Sequence, residues 1–258
     1  MAESYECFKV DVADFVATVR LSRPPVNAQN RRFREEIISI FDALSDRPDV
    51  RAVVLMGEGR TFSAGADLKE RPGLSQEIGA YARHNRLVRE SFNAVMECEK
   101  PVIAAVNGPA LGAGMVLASS CDIMIASETA HFGLPEIDVG LMGGARHAME
   151  IFGRSLTRRM VFTGYRVPAS ELYRLGVIEA CTTPEDLMPT ALAMARDIAK
   201  KSTYAVRMAK RTLGTVNNLS VRDGYRYEQS MTAEVAFHKD SKESMTAFVE
   251  KRSAVYDD

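Results

Sequence analysis

Near the start of the chain, apolar and polar residues alternate with period two in two short stretches, Tyr5 to Val12 and Phe15 to Leu21. Such alternation turns one face of a strand inward and the other outward, and Ala13-Asp14 between the stretches predicts a hairpin. Arg23-Pro24-Pro25 ends it, since proline has no N–H to give a ladder. The period then lengthens. Phe33, Ile37, Ile40, Phe41 and Leu44 fall at helical spacing, which predicts a helix from Arg31 to Leu44 capped by Asn30. Val50 to Gly57 is almost unbroken apolar sequence, the pattern of a buried strand.

Pro72 to Gln76 is predicted as a polar loop, with a helix from Glu77 to Met96. Pro101 to Val106 is a second buried strand, and its glycine-rich turn opens directly into an apolar helix. Gly143 to Ile151, Leu156 to Thr163 and Ala169 to Leu175 read as short helices, with Gly153, Gly164 and Gly176 at their C-terminal ends. Val177 to Cys181 reads as a short strand. From Pro184 onward the pattern is helical, and Val221 to Ser253 has little strand signal. There is no internal repeat, low-complexity run or flexible linker. The pattern predicts an α/β core over residues 1–200 and a helical region over residues 201–258.

Composition narrows the class. A chain of 258 residues, 46% hydrophobic and 26% charged, fits one large soluble domain or one with a small appendage. A net charge of -1 and a pI near 6.5 give no electrostatic reason to expect nucleic acid or an anionic membrane as partner. Cys7, Cys98, Cys121 and Cys181 are scattered, with no CxxC pair, so neither a metal site nor disulfides are expected. The first residues carry acidic groups and no apolar core, unlike a signal or transit peptide, and the apolar run Val102 to Ala126 is interrupted by Asn107, Pro109 and Asp122. The expected location is cytoplasmic.

Candidate chemistry lies at two strand-to-turn junctions. Gly112-Ala113-Gly114 stands at a helix mouth, where backbone N–H groups and the positive dipole end are exposed. Phe62-Ser63-Ala64-Gly65-Ala66-Asp67-Leu68 follows the other buried strand and supplies an opposing N–H. Two such donors hold a carbonyl oxygen as it gains negative charge. A tight corner is the plainer reading of either turn alone. A dinucleotide fingerprint fails at Leu117, and no GK[ST] run provides a phosphate loop. Glu136 alone reads as a surface residue. Its setting, Phe132-Gly133-Leu134-Pro135 before it and Ile137 after it, is apolar, and such a cleft suits a carboxyl that gives and takes a proton near neutral pH.

FSAGADLKE, PVIAAVNGPALGAG, CDIMIAS, FGLPEIDVG and AFVEKR, in this order and spacing from about Arg23 to Arg252, resemble the enoyl-CoA hydratase/isomerase, or crotonase, family. The resemblance implies a spiral of ββα units in two roughly perpendicular sheets, with a helical C-terminal part that joins subunits as a homotrimer or homohexamer. It implies an acyl-CoA or enoyl-CoA thioester as substrate, coenzyme A entering as part of that substrate and no separate cofactor. Ala66 and Ala113 take the positions whose N–H groups hold the thioester oxygen, and Glu136 takes that of the catalytic carboxylate. Ala64, Asp67, Leu68, Gly112, Val116 and Leu141 fall at substrate-binding positions. Phe248 and Lys251 match the C-terminal positions that approach CoA, sometimes from a neighbouring subunit.

The chain also departs from that pattern. Hydratases of the family carry a second glutamate where this chain has Val116, which puts two-carboxylate hydration in question. Gly144 stands where other branches have an aspartate. The open alternatives are double-bond isomerisation by Glu136, hydration with that single carboxylate, a CoA-thioester decarboxylase or lyase, and a non-catalytic CoA-binding member. Arg146 and His147 read as a solvated helix turn or a contact to a polar substrate group. Asp67 and Asp122 suit turns or caps, and Asp138 is a weaker site candidate. His84 and His131 have no metal spacing. Met142 and Met149 suit pocket wall or core.

Overall fold

The computed structural model describes residues 5–70 and 78–256. The hairpin forms as β1 (Phe8–Ala13) and β2 (Val16–Leu21), joined through Asp14 and Phe15 at φ 52° and 61°. Two central residues with positive φ match the right-handed twist of the flanking strands. Helix α1 (Arg31–Asp46) follows, and the Asn30 side chain accepts from Phe33 N at 2.9 Å, the cap expected there.

β3 (Ala52–Gly57) and β4 (Val102–Val106) continue the sheet in parallel, and β6 (Ile123–Ser127) and β9 (Ala180–Thr182) complete its order β1-β2-β3-β4-β6-β9. A smaller sheet holds β5 (Ala110–Leu111), β7 (His131–Gly133) and β8 (Arg166–Pro168) in the order β5-β7-β8. The chain alternates between them. β4 in the large sheet leads to β5 in the small one and then to helix α3 (Ala113–Ser119). β6 leads to β7, a short 3₁₀ turn (Pro135–Val139) and helix α4 (Ala145–Thr163). β3 opens a unit of the same kind: Ser63 bridges Ala110, and helix α2 (Ala80–Met96) follows. This is the repeating strand-strand-helix unit that the resemblance implies.

The large sheet is apolar on both faces, as its sequence requires. Val53 and Leu55 of β3 join the core shared with α1, while Ala52 and Val54 face Leu187, Ala191, Ala195 and Ala199 of helix α6 (Pro184–Ala199). Those four residues recur every fourth position, and the three alanines let the helix lie close on the strands. Helices α7 (Thr203–Val216), α8 (Val221–Phe237) and α9 (Lys239–Glu250) then pack on one another, after the short α5 (Ala169–Arg174) earlier in the chain.

Some boundaries differ from those predicted. The predicted loop Pro72 to Gln76 and the helix start at Glu77 lie outside the described residues, and α2 begins at Ala80 after left-handed Gly79. The strand expected over Val177 to Cys181 forms only over Ala180–Thr182. Val177 N is drawn back to Leu172 O at 2.9 Å, closing the turn after α5 instead of pairing with β6. Two predicted helices form the single span α4, broken at Gly153 (φ 71°, ψ 176°). No helix among the described residues is long and apolar enough to cross a membrane.

Candidate active site

The two glycine turns meet backbone to backbone. A Cβ on Gly65 would stand 2.6 Å from Leu111 O and 3.1 Å from Ala113 N, and Gly65 has φ +92°. A Cβ on Gly114 would stand 2.2 Å from Ser63 O. Glycine is required at both positions because another stretch of main chain occupies the side-chain space. Ser63 and Ala110 form a bridge that extends this contact, with Leu111 N donating to Ser63 O at 2.9 Å.

Gln29 clamps the two turns. Its N–H donates to Gly65 O at 2.8 Å, its carbonyl accepts from Asp67 N at 3.1 Å, and its side-chain Nε2 donates to Ala113 O at 3.1 Å. In that parallel bridge the bonds run to the residues on either side of Ala66, so the Ala66 N–H points away from Gln29. Ala113 is the first residue of α3, and its N–H lies ahead of the helical ladder. Sequence reading passed over Gln29, whose only signal was its place beside the Asn30 cap.

A cavity of about 500 Å³ opens at this meeting point. Ala64, Ala66 and Leu68 line it from the first turn, Gly112, Ala113 and Val116 from the second, and Glu136 and Leu141 from the 3₁₀ turn and the residues after it. Glu136 Oε1 is 2.6 Å from where a Cβ on Gly112 would stand, and its Oε2 is buried. The carboxyl therefore lies directly against the mouth of α3. Pro135 at the first 3₁₀ position and left-handed Gly140 (φ 70°) at the end fix the short turn that carries it.

Val116 is 3% exposed and puts a methyl-bearing side chain, with no group that titrates, into the wall of the cavity. A Cβ on Gly144 would stand 2.8 Å from Val116 Cγ2 and 2.8 Å from Leu134 Cδ2, so valine at 116 and the bare backbone at 144 complement each other. Asp138 also lines the cavity, but its carboxylate lies against Gly164, with Oδ2 2.9 Å from where a Cβ there would stand.

Other predicted residues stand elsewhere. Asp67 does not line the cavity; it accepts from Arg23 Nη2 at 2.8 Å and from Lys69 N at 3.1 Å. Burial works to raise its pKa, but those two donors outweigh it and hold the carboxyl below the usual aspartate range. Asp122 is a strut, accepting from Val102 N at 2.7 Å and Lys210 Nζ at 2.8 Å. Phe248 is 86% exposed on α9 and Lys251 follows that helix; neither lines the cavity of its own chain. Arg146 pairs with Glu150 on the exposed face of α4, whereas His147 packs edge-on against Phe92, a wall residue, with centroids 5.9 Å apart. Met142 and His84 line the cavity, and Met149 and His131 do not. Arg34, Tyr81, Asn85 and Arg166 line it too, none singled out by the sequence. Among the described residues no cluster of His, Cys, Asp and Glu is arranged to hold a metal ion.

A sequence model described as enoyl-CoA hydratase/isomerase matches residues 11–258. The chain is 38% identical over 236 residues to the (7aS)-7a-methyl-1,5-dioxo-2,3,5,6,7,7a-hexahydro-1H-indene-carboxyl-CoA hydrolase of Mycobacterium tuberculosis, covering 92% of this chain and 95% of that protein. It is 36% identical over 257 residues to a probable enoyl-CoA hydratase of Rhizobium meliloti, covering 98% of each. The crystal structure of an enoyl-CoA hydratase from Bacillus anthracis superposes with a TM-score of 0.91 at 32% identity, covering 97% of this chain and 99% of that one.

Proposed function

The chain belongs to the enoyl-CoA hydratase/isomerase family, with its crotonase fold, and we propose that it is an enzyme acting on an acyl-CoA thioester through an enolate. The N–H groups of Ala66 and Ala113 hold the thioester oxygen as it becomes an enolate oxygen, and Glu136 moves the proton. The observation that carries this reading is the meeting of three groups: two turns locked backbone to backbone through Gly65, and a carboxyl lying against Gly112 at the same helix mouth. Backbone donors fixed before reaction need no reorganisation as charge develops.

With Val116 in the wall, the simplest chemistry is double-bond migration: Glu136 takes a proton from Cα and returns it at Cγ, and no activated water is required. Hydration by the single carboxylate is the second reading, and the relatives named hydratases favour it. The two part in one assay, in which 3-enoyl- and 2-enoyl-CoAs are followed by mass and ultraviolet absorbance: migration conserves mass and hydration adds one water.

Glu136→Gln is the decisive variant. It should lower turnover about 10²–10⁴-fold, the usual contribution of a general acid/base, with CoA affinity and melting temperature nearly unchanged. Activity within threefold of wild type would assign the proton transfer to another group.

A further inference from the structure

We propose a second activity for the same site: hydrolytic cleavage of a β-oxoacyl-CoA thioester between Cα and the oxo carbon. This rests on the reading of Ala66, Ala113 and Glu136 as an enolate site. Such a cleavage expels the same thioester enolate that the two N–H groups would hold.

A second stretch of bare backbone lies beside the carboxyl. Glu136 Oε1 is 2.6 Å from where a Cβ on Gly112 would stand and 4.0 Å from where one on Gly143 would stand. Gly112 has a left-handed φ of 53°, whereas Gly143 has no such φ, and no other atom comes within 4 Å of its Cβ position. Neither backbone conformation nor packing therefore demands glycine at 143. What a side chain there would take up is room beside the carboxyl. Gly143 and Gly144 both line the cavity, and neither gives its N–H to a described residue. The carboxyl thus shares one cavity with two sets of backbone donors, Ala66 with Ala113 and Gly143 with Gly144. A β-oxoacyl thioester has two carbonyl oxygens to match them, and Val88 and Phe92 give its chain an apolar wall.

One carboxyl suffices for this reaction. Glu136 takes a proton from water as the water oxygen adds to the oxo carbon, whose own oxygen becomes an alkoxide on the Gly143 and Gly144 N–H groups. The alkoxide collapses to a carboxylic acid, the bond to Cα breaks, and its electron pair passes to the thioester as an enolate at Ala66 and Ala113. Glu136 then returns the proton to Cα. One water is consumed, one carboxylic acid and one shortened acyl-CoA are released, and no oxidant or reductant is needed. Hydration of an alkene asks for a base at the water and an acid at Cα, whereas here one proton serves two successive steps, and Val116 is not called on.

The test follows 3-oxooctanoyl-CoA by mass in water labelled with heavy oxygen. Wild type should give acetyl-CoA and hexanoic acid carrying the label, and Glu136→Gln should lower that rate about 10²–10⁴-fold. Gly143→Val, which fills the room beside the carboxyl, should lower kcat for cleavage about tenfold or more and change KM less. Free CoA with intact oxo acid, or no product from a protein that turns over enoyl-CoAs, overturns the second activity and leaves the proposed function standing. Cleavage that persists in Glu136→Gln, or runs as fast in Gly143→Val as in wild type, overturns it as well. No turnover of any enoyl- or oxoacyl-CoA overturns both. Should Gly143→Val not fold, Gly143→Ala takes its place under the same criterion, since its Cβ meets only Glu136 Oε1.

Discussion

Glu136 and Val116 face one cavity, and their difference sets the chemistry we expect. Val116 is 3% exposed, with Cγ2 packed into the space left by Gly144. Val116→Glu would bring a second carboxyl into the wall beside Glu136, where repulsion raises one pKa and lets one acid and one base coexist around a bound water. The expected outcome is a gain in 2-enoyl-CoA hydration together with a lower melting temperature, because burying even an uncharged polar group where valine packed costs on the order of 2–7 kcal/mol when it lacks a hydrogen bond. A folded, CoA-binding variant with no added hydration would remove position 116 from the account. His147 offers a second test at this scale. Burial lowers its pKa, with Arg146 adding to the effect and Glu150 opposing it. The native state therefore binds its proton more weakly than the unfolded chain. The stability this histidine contributes is fully present above about pH 6.5, its unfolded value, and is lost as pH falls through the lower folded value. Wild type should lose more melting temperature between pH 7.5 and 5 than His147→Gln does; parallel curves would show that the imidazole is not the group responsible.

Among elements, the two turns form a single device. Gly65→Ala would drive a Cβ to 2.6 Å from Leu111 O at a φ of +92°, so the turns must separate or the backbone must strain. Turnover should fall at least about a hundredfold, as when an oxyanion donor is removed, while acyl-CoA affinity falls much less. Loss of affinity with kcat unchanged would mean that the turn serves binding alone. The sequence announced these turns as a pair, because each follows a buried apolar strand with a run of small residues, although either alone reads more plainly as a tight corner. It also announced the Asn30 cap and the hairpin, since each depends on a local hydrogen bond or a local twist. The Gln29 clamp stayed hidden, because it joins turns far apart in the chain and glutamine has no periodicity to betray it. Arg34 was hidden for a related reason. A lone arginine among Arg31, Arg32 and Glu35 reads as the solvated face of a helix, and only the placement of Glu70 and α2 shows that it points into the protein.

For the whole molecule, the C-terminal helices pose an unsolved packing problem within one chain. Val221 is 91%, Phe237 86% and Phe248 86% exposed, and Leu213, Met245 and Val249 are exposed beside them in sequence or on the same helices. Large apolar side chains exposed in this number on three successive helices are a feature of surfaces that pair with another protein. Helices α7, α8 and α9 pack on one another and leave these residues outward, so a second copy is the natural cover, and closed symmetry is the usual result. We expect a trimer or a hexamer in sedimentation at micromolar concentration. The same surface bears on the site we propose, because Phe248 and Lys251 do not line the cavity of their own chain, and we expect a neighbouring copy to present them to CoA. Phe248→Asp should therefore weaken assembly and acyl-CoA affinity together. Lys251→Ala should lower affinity about tenfold or less, the scale of one exposed charge contact, without changing the oligomer. A protein that sediments only as a monomer yet binds acyl-CoA fully would refute both the assembly and the shared site.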